Sequence, residues 1–244
     1  MVYHRPFLVL SACLVLVGPS GLSGETRVED VIRLAREHVG PEGRLNAIEA
    51  LRYQGRVEGT ADGLKGTLVM TLKRPLKQCV EMRMESADIH EITATNGYEG
   101  YMTRTRISTG ETQIRVLPPD TVRKMMINTW ENLNFFAFPR SRYGQVHYQG
   151  KETVRGREAH VLKYVYPNGQ YFRRFVDAET GDLLLTVTEG NLEIIETGDL
   201  WADGLRFPRT ITTWKEGRVL HTVHFEKVQV NPEVKDSLFE FPES

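Results

Sequence analysis

Apolar residues recur at every second position through most of the chain from Leu51 onward, the period of a strand that buries one face. Leu51, Tyr53 and Val57 form one such series, Leu68, Met70 and Leu72 a second, and Leu76, Val80, Met82 and Met84 a third. Further strands are predicted near 145–152, 159–166, 170–177, 182–188, 191–199, 205–214 and 218–230. Turn chemistry separates them. Asp62-Gly63, Arg74-Pro75, Asn96-Gly97, Thr109-Gly110 and Pro118-Pro119 serve the first half, and Asn168-Gly169, Thr180-Gly181, Asp203-Gly204 and Glu216-Gly217 the second. Short half-buried strands at this spacing predict a mainly β (α+β) fold, one continuous and strongly curved antiparallel meander, with residues 25–244 as a single domain.

The period becomes helical in two places. Thr26 and Glu29 have capping-box spacing, Val28, Val31, Ile32, Ala35 and Val39 then share a face, and Gly40-Pro41 ends the run. A short helical stretch near 44–50 leads into the first strand. The second helix follows Pro118-Pro119, with Asp120 placed to cap it and a stripe of Val122, Met125, Met126, Trp130, Leu133 and Phe136. Such a stripe is first of all a core helix plugging a sheet. Its methionines add a second meaning, because flexible thioether chains re-pack around different apolar partners and the facing strands contribute Met70, Met82 and Met84. The candidate lipid-contacting set is therefore this helix stripe together with Leu68, Met70, Leu72, Val80, Met82 and Met84 on the strands.

At the N-terminus, His4 and Arg5 precede the apolar run from Phe7 to Val17, which is too short to span a bilayer as a helix and is followed by small residues. Residues 1–24 read as a secretory signal peptide, which makes the mature chain periplasmic. Leu10-Ser11-Ala12-Cys13 resembles a lipobox and leaves a lipid-anchored form through Cys13 as the lesser alternative. The 31 basic and 32 acidic residues nearly balance and form no basic block, which argues against a nucleic-acid partner.

Candidate chemistry is sparse. His221 and His224 lie three apart in a strand and so point to opposite faces, while His90, His147 and His160 are isolated within strands. The glycines fall in hairpin turns, and no phosphate loop or metal spacing occurs, so no cofactor and no catalytic group is assigned. Cys79 alternates with Val80 and is expected on the polar face as a partly exposed thiol.

Leu72-Lys73-Arg74-Pro75 resembles the strand-end motif of the LolA-like superfamily of periplasmic outer-membrane-lipoprotein carriers, which also has lipoprotein-sorting-like and sigma-regulatory sensor branches. Asn96-Gly97-Tyr98-Glu99-Gly100-Tyr101 is similar to its DG-x-x-x-W hairpin, with Tyr101 in place of tryptophan. Val176-Asp177-Ala178-Glu179-Thr180-Gly181 is similar to its VD-P-x-TG turn, and Val230-Asn231-Pro232 with Asp236-Ser237-Leu238-Phe239 and Phe241-Pro242 to its C-terminal ending. The resemblance implies a half-open antiparallel β-barrel whose mouth is closed by helices, with Arg74 as a gate residue that bonds to the lid. It further implies a monomeric carrier of lipoprotein acyl chains or another lipid, exchanging cargo between an inner-membrane donor and an outer-membrane acceptor. A lipid-sensing module that controls a membrane partner is the second reading, and a hydrolase the third.

Overall fold

The computed structural model describes residues 24–59, 63, 65–137 and 144–242, with side chains from Arg27 onward. The expected signal peptide, Cys13 and Asp62 lie outside the described residues. Six strands precede a central helix: β1 (Ala50–Gly59), β2 (Lys65–Lys73), β3 (Lys77–Met84), β4 (Ile89–Thr95), β5 (Gly100–Arg106) and β6 (Thr112–Val116). Seven follow it: β7 (Gln145–Val154), β8 (Arg157–Val165), β9 (Tyr171–Asp177), β10 (Leu183–Thr188), β11 (Leu192–Ala202), β12 (Leu205–Lys215) and β13 (Arg218–Val230). All join one antiparallel sheet in the order β6-β5-β4-β3-β2-β1-β13-β12-β11-β10-β9-β8-β7, which does not close on itself. Every neighbour is consecutive in the chain except β1 and β13, so the first and last strands form the seam. Asn231 fastens that seam: its Oδ1 accepts from the Glu49 and Ala50 N–H groups at 2.7 and 3.1 Å, and its Nδ2 donates to the Ala47 carbonyl at 3.0 Å.

Among the described residues three α-helices flank the sheet, α1 (Gly24–Val39), α2 (Glu42–Asn46) and α3 (Pro119–Asn134). α1 starts two residues ahead of the expected cap at Thr26 and buries Val28, Val31, Ile32 and Ala35 against Val146, Leu162, Tyr164 and Val176 of β7 to β9. Its outer turn meets the β9–β10 hairpin at Gly181, where φ is +77° and an added Cβ would run into the Leu34 carbonyl, so glycine is required on both counts. The hairpin is held by Asp177, whose Oδ1 accepts from the backbone N–H groups of Glu179 and Thr180 at 3.0 and 2.7 Å and from the Thr180 hydroxyl at 2.9 Å. The Asp-x-x-Thr-Gly pattern thus has a local cause, a carboxylate that substitutes for backbone acceptors in a tight turn.

α3 connects the two sheet edges, leaving β6 and returning at β7, and packs over β2, β3 and β4. Its N-cap is Pro118 with no side-chain cap bond, and Asp120 sits in the first turn, paired with Arg123. The expected cap role of Asp120 is corrected accordingly: Pro119 needs no N–H partner, and an acid one turn in still meets the positive helix end. The helix stops at Asn134, so Phe136 is not part of it. Phe135 and Phe136 both take left-handed backbone conformations, with φ of 45° and 64°.

The C-terminal segment packs on the sheet face turned away from α3. Phe239, 1% exposed, joins Cys79, Ala94 and Tyr101 there, and Lys73 holds the segment by bonds to the Val234 carbonyl at 3.0 Å and Asp236 at 2.7 Å. Cys79 is therefore buried, at 3% exposure, rather than partly exposed. Strand alternation assigned its face correctly, but that face is covered by residues more than 150 positions away in the chain. Burial, aided by the Glu81 charge, pushes the thiol up to about 12, which leaves it unreactive.

Candidate functional site

A cavity of about 590 Å³ lies between the inner face of the sheet and the C-terminal ends of α1 and α3. One wall is apolar and comes from β1, β2, β12 and β13. Tyr53 is central to it, with ring centroids 5.0 Å from Phe225 and 5.9 Å from Phe207, and Phe135 closes on Phe207 at 5.9 Å. Met70 and Ile211 complete that wall. The phenol of Tyr53 is driven far above its ordinary range by burial, which keeps it neutral.

The opposite wall is charged. Glu131 of α3 and Arg174 of β9 form an ion pair at 2.5 Å with side chains 8% and 13% exposed. The guanidinium lies 5.0 Å from the Phe136 ring centroid and 4.9 Å from that of Tyr164, whose hydroxyl donates to the Phe136 carbonyl at 3.0 Å. Burial raises the Glu131 pKa while Arg174 pulls it down; burial also opposes the Arg174 charge, and Glu131, Tyr164 and Glu196 more than offset that. Glu131 is the ionised partner of the guanidinium, which it meets at 2.5 Å, and Glu196 of β11 is the acid left without an ion-pair contact among the described residues. The Glu196 side chain makes no hydrogen bond among the described residues, and its pKa is raised by burial and Asp182 against the pull of Arg174 and Arg206. It is partly buried and borders the cavity.

Two arginines hold the end of α3 over this cavity. Arg74 donates from Nε to the Ile48 carbonyl at 2.6 Å, from Nη1 to Asn134 Oδ1 at 3.1 Å and from Nη2 to the Leu133 carbonyl at 3.0 Å. Arg36, 6% exposed, donates to the carbonyls of Asn134 and Phe135 at 2.5 and 2.9 Å and is braced by Glu42 at 2.8 Å. Cations belong at a helix C-terminus, where unpaired carbonyls and the macrodipole concentrate negative charge. Lys73 and Arg74 therefore serve opposite faces of the sheet, one fastening the C-terminal segment and the other α3.

The residues expected to contact lipid separate into distinct places. Met70 and Phe136 border the cavity. Leu68, Leu72 and Leu133 lie in the core behind its apolar wall, with Val80 and Met82 packed against them. Val122 and Met125 belong to another cluster with Leu117, while Met126 and Trp130 line a second groove of about 150 Å³ with Leu76, Ile127, Tyr166 and Pro167. Met84 sits over Gly66 at the far end of the β2–β3 hairpin. The helix stripe is split because α3 bridges two sheet edges, so its flanks face different strands.

Periodicity carries a signal for the charged wall. Arg174 alternates with Phe172 and Val176, Glu196 with Ile194, and Arg36 falls between Ile32 and Val39 on the apolar face of α1. A charge on an otherwise apolar face marks a buried ion or a site.

No family model matches the chain, and no curated protein matches it. Solved structures do. A DUF1329 family protein from Desulfovibrio piger is similar at 12% identity with a TM-score of 0.56, over 87% of this chain and 97% of that one. A LolA superfamily protein from Nitrosomonas europaea is similar at 10% identity with a TM-score of 0.55, over 88% and 97% of the two chains. The fold is LolA-like, an open, curved antiparallel sheet with few helices.

Proposed function

We propose that this protein is a periplasmic, non-enzymatic carrier of lipoprotein acyl chains or a related lipid, working as a monomer between a membrane donor and an acceptor. The observation that carries the reading is the 590 Å³ cavity with an aromatic wall, roofed by a helix whose end two arginines hold. Its volume lies within the roughly 300–1,000 Å³ of ordinary small-molecule sites. Each methylene moved from water into such a wall contributes about 0.8 kcal/mol, so a long chain would bind too tightly to be released without competition. α3 supplies the competitor: its own contacts to the sheet are favourable in the empty state, and cargo gains only the difference. Arg74 and Arg36 set the strength of that closure. Export rests on the pattern from His4 to Val17.

Solvent extraction and mass spectrometry of the protein purified from its native periplasm tests the reading. A co-purifying acylated molecule is expected. Protein that carries none and also fails to bind a fluorescent fatty acid overturns it.

A further inference from the structure

We propose that the cavity selects an amphiphile whose head is an alkylammonium, paired with the Glu196 carboxylate, with its chain running across Ile211, Phe225, Tyr53 and Met70. The proposal rests on the reading of the cavity as a lipid site and names the chemistry of the ligand's head.

The charges around the cavity do not balance one by one. Arg174 is committed to Glu131 at 2.5 Å and stacked between two rings, and its Nε is buried with no hydrogen-bond partner, out of a ligand's reach. Arg206 is committed to Asp199 at 2.7 Å and Asp182 at 3.2 Å, and it also contacts His38. Arg157 is committed to Asp177 at 2.7 Å and Asp182 at 3.4 Å. Glu196 is left as a partly buried acid that borders the cavity and whose side chain has no hydrogen bond or ion pair among the described residues. A carboxylate that a ligand's chain strips of water without supplying a donor is costly, and a donor that arrives with the ligand removes the cost. A carboxylate or phosphate head would instead meet Glu196, Glu131 and Asp182, while Arg174, Arg206 and Arg157 are already paired and Arg155, the remaining arginine of the lining, is exposed to solvent.

The register places the chain as well. Glu196 is opposite Ile211 on β12, and Tyr53 is opposite Met70 on β2, with β13 and its Phe225 between the two pairs. From β11 to β2 the cavity crosses four strand spacings, on the order of 19 Å, which suits an extended alkyl chain. Phe172 also borders the cavity and offers a ring face to the cation. Burial favours the neutral acid while the cavity is empty; the incoming ammonium stabilises the carboxylate, and the displaced proton leaves to solvent.

The test is displacement of N-phenyl-1-naphthylamine from delipidated full-length mature protein by dodecylamine, dodecanol and dodecanoate, all below their micelle thresholds. Dodecylamine is expected to displace the probe at concentrations roughly tenfold or more below those of dodecanoate, with dodecanol between them. Glu196→Gln, nearly isosteric, is expected to erase the advantage of the amine and leave dodecanol unchanged. Equal displacement by the three heads in the wild-type protein, which needs no variant to fold, overturns the inference while leaving the lipid reading in place. Retention of the amine preference in a folded Glu196→Gln protein also overturns it. Failure of the probe and of all three amphiphiles to bind overturns the lipid reading itself.

Discussion

The two walls of the cavity both draw on strands of one sheet, the charged one with α3 added, yet they differ in what holds them. The wall of Tyr53, Phe207 and Phe225 is made of rings in edge or tilted contact, and it rewards any apolar ligand about equally. The wall of Glu131, Arg174 and Glu196 contributes little net stability, because the attraction within a buried ion pair is largely spent on desolvation. In the proposed function such a wall discriminates: it would fix where a polar head can sit and which charge is accepted. One side of the cavity would then supply affinity and the other choice.

The largest expected effect comes from breaking the charged wall. Arg174→Met leaves Glu131 buried without a partner and should destabilise the fold by about 3–5 kcal/mol, read from urea unfolding. Adding Glu131→Leu should recover most of that loss. If the double variant is no more stable than the single one, the charged wall is held by something other than this pair.

On the apolar wall, Phe207, 2% exposed, touches both Tyr53 and Phe135. Phe207→Ala should cost about 3 kcal/mol through the cavity it leaves and should weaken binding of all chain-bearing probes together, whatever their heads. A loss confined to one head group would mean that the walls are not separable.

Arg74 acts on the roof common to both walls. Arg74→Leu removes bonds to the Leu133 carbonyl and Asn134, each worth about 1.5–3 kcal/mol when the donor is charged. The variant should still bind labelled lipopeptide but pass it poorly to an acceptor. Wild-type transfer rates would reduce Arg74 to a turn residue.

The smallest effect lies where the charged wall ends, at Asp177, the last residue of β9. Its pKa is lowered because the N–H groups of Thr180 and Glu179, the Thr180 hydroxyl and Arg157 together outweigh the upward push of burial. A carboxylate lowered on folding contributes stability that is fully present above its unfolded value of 3.8 and is lost as pH falls through the folded value. Melting temperatures between pH 5 and pH 2.5 should therefore fall less steeply in Asp177→Asn than in the wild type. Parallel curves would show that the turn carries no proton linkage.

Much of this architecture is legible in the amino-acid sequence. Alternation locates the strands from β7 to β13 within a few residues, and the Asn96 and Asp177 motifs mark turns whose side chains complete their own local bonds. Arg74 was placed correctly at a strand end within reach of α3. The membership of the site was not legible. Phe136 borders the cavity from a left-handed residue beyond the helix, and Met126 and Trp130 line a different groove from Met70.

The period of the side chains determined which residues each element buries, because two-residue and 3.6-residue repeats are local consequences of backbone geometry. Tertiary structure decided what those buried faces meet. The pairing of β1 with β13, the cover laid over Cys79 by Phe239, and the meeting of Glu131, Arg174 and the strand of Glu196 all join residues far apart in the chain. Their physical reason is collective: charges from three elements share one enclosed space only after the sheet has curved and α3 has crossed it, and no local repeat encodes that encounter.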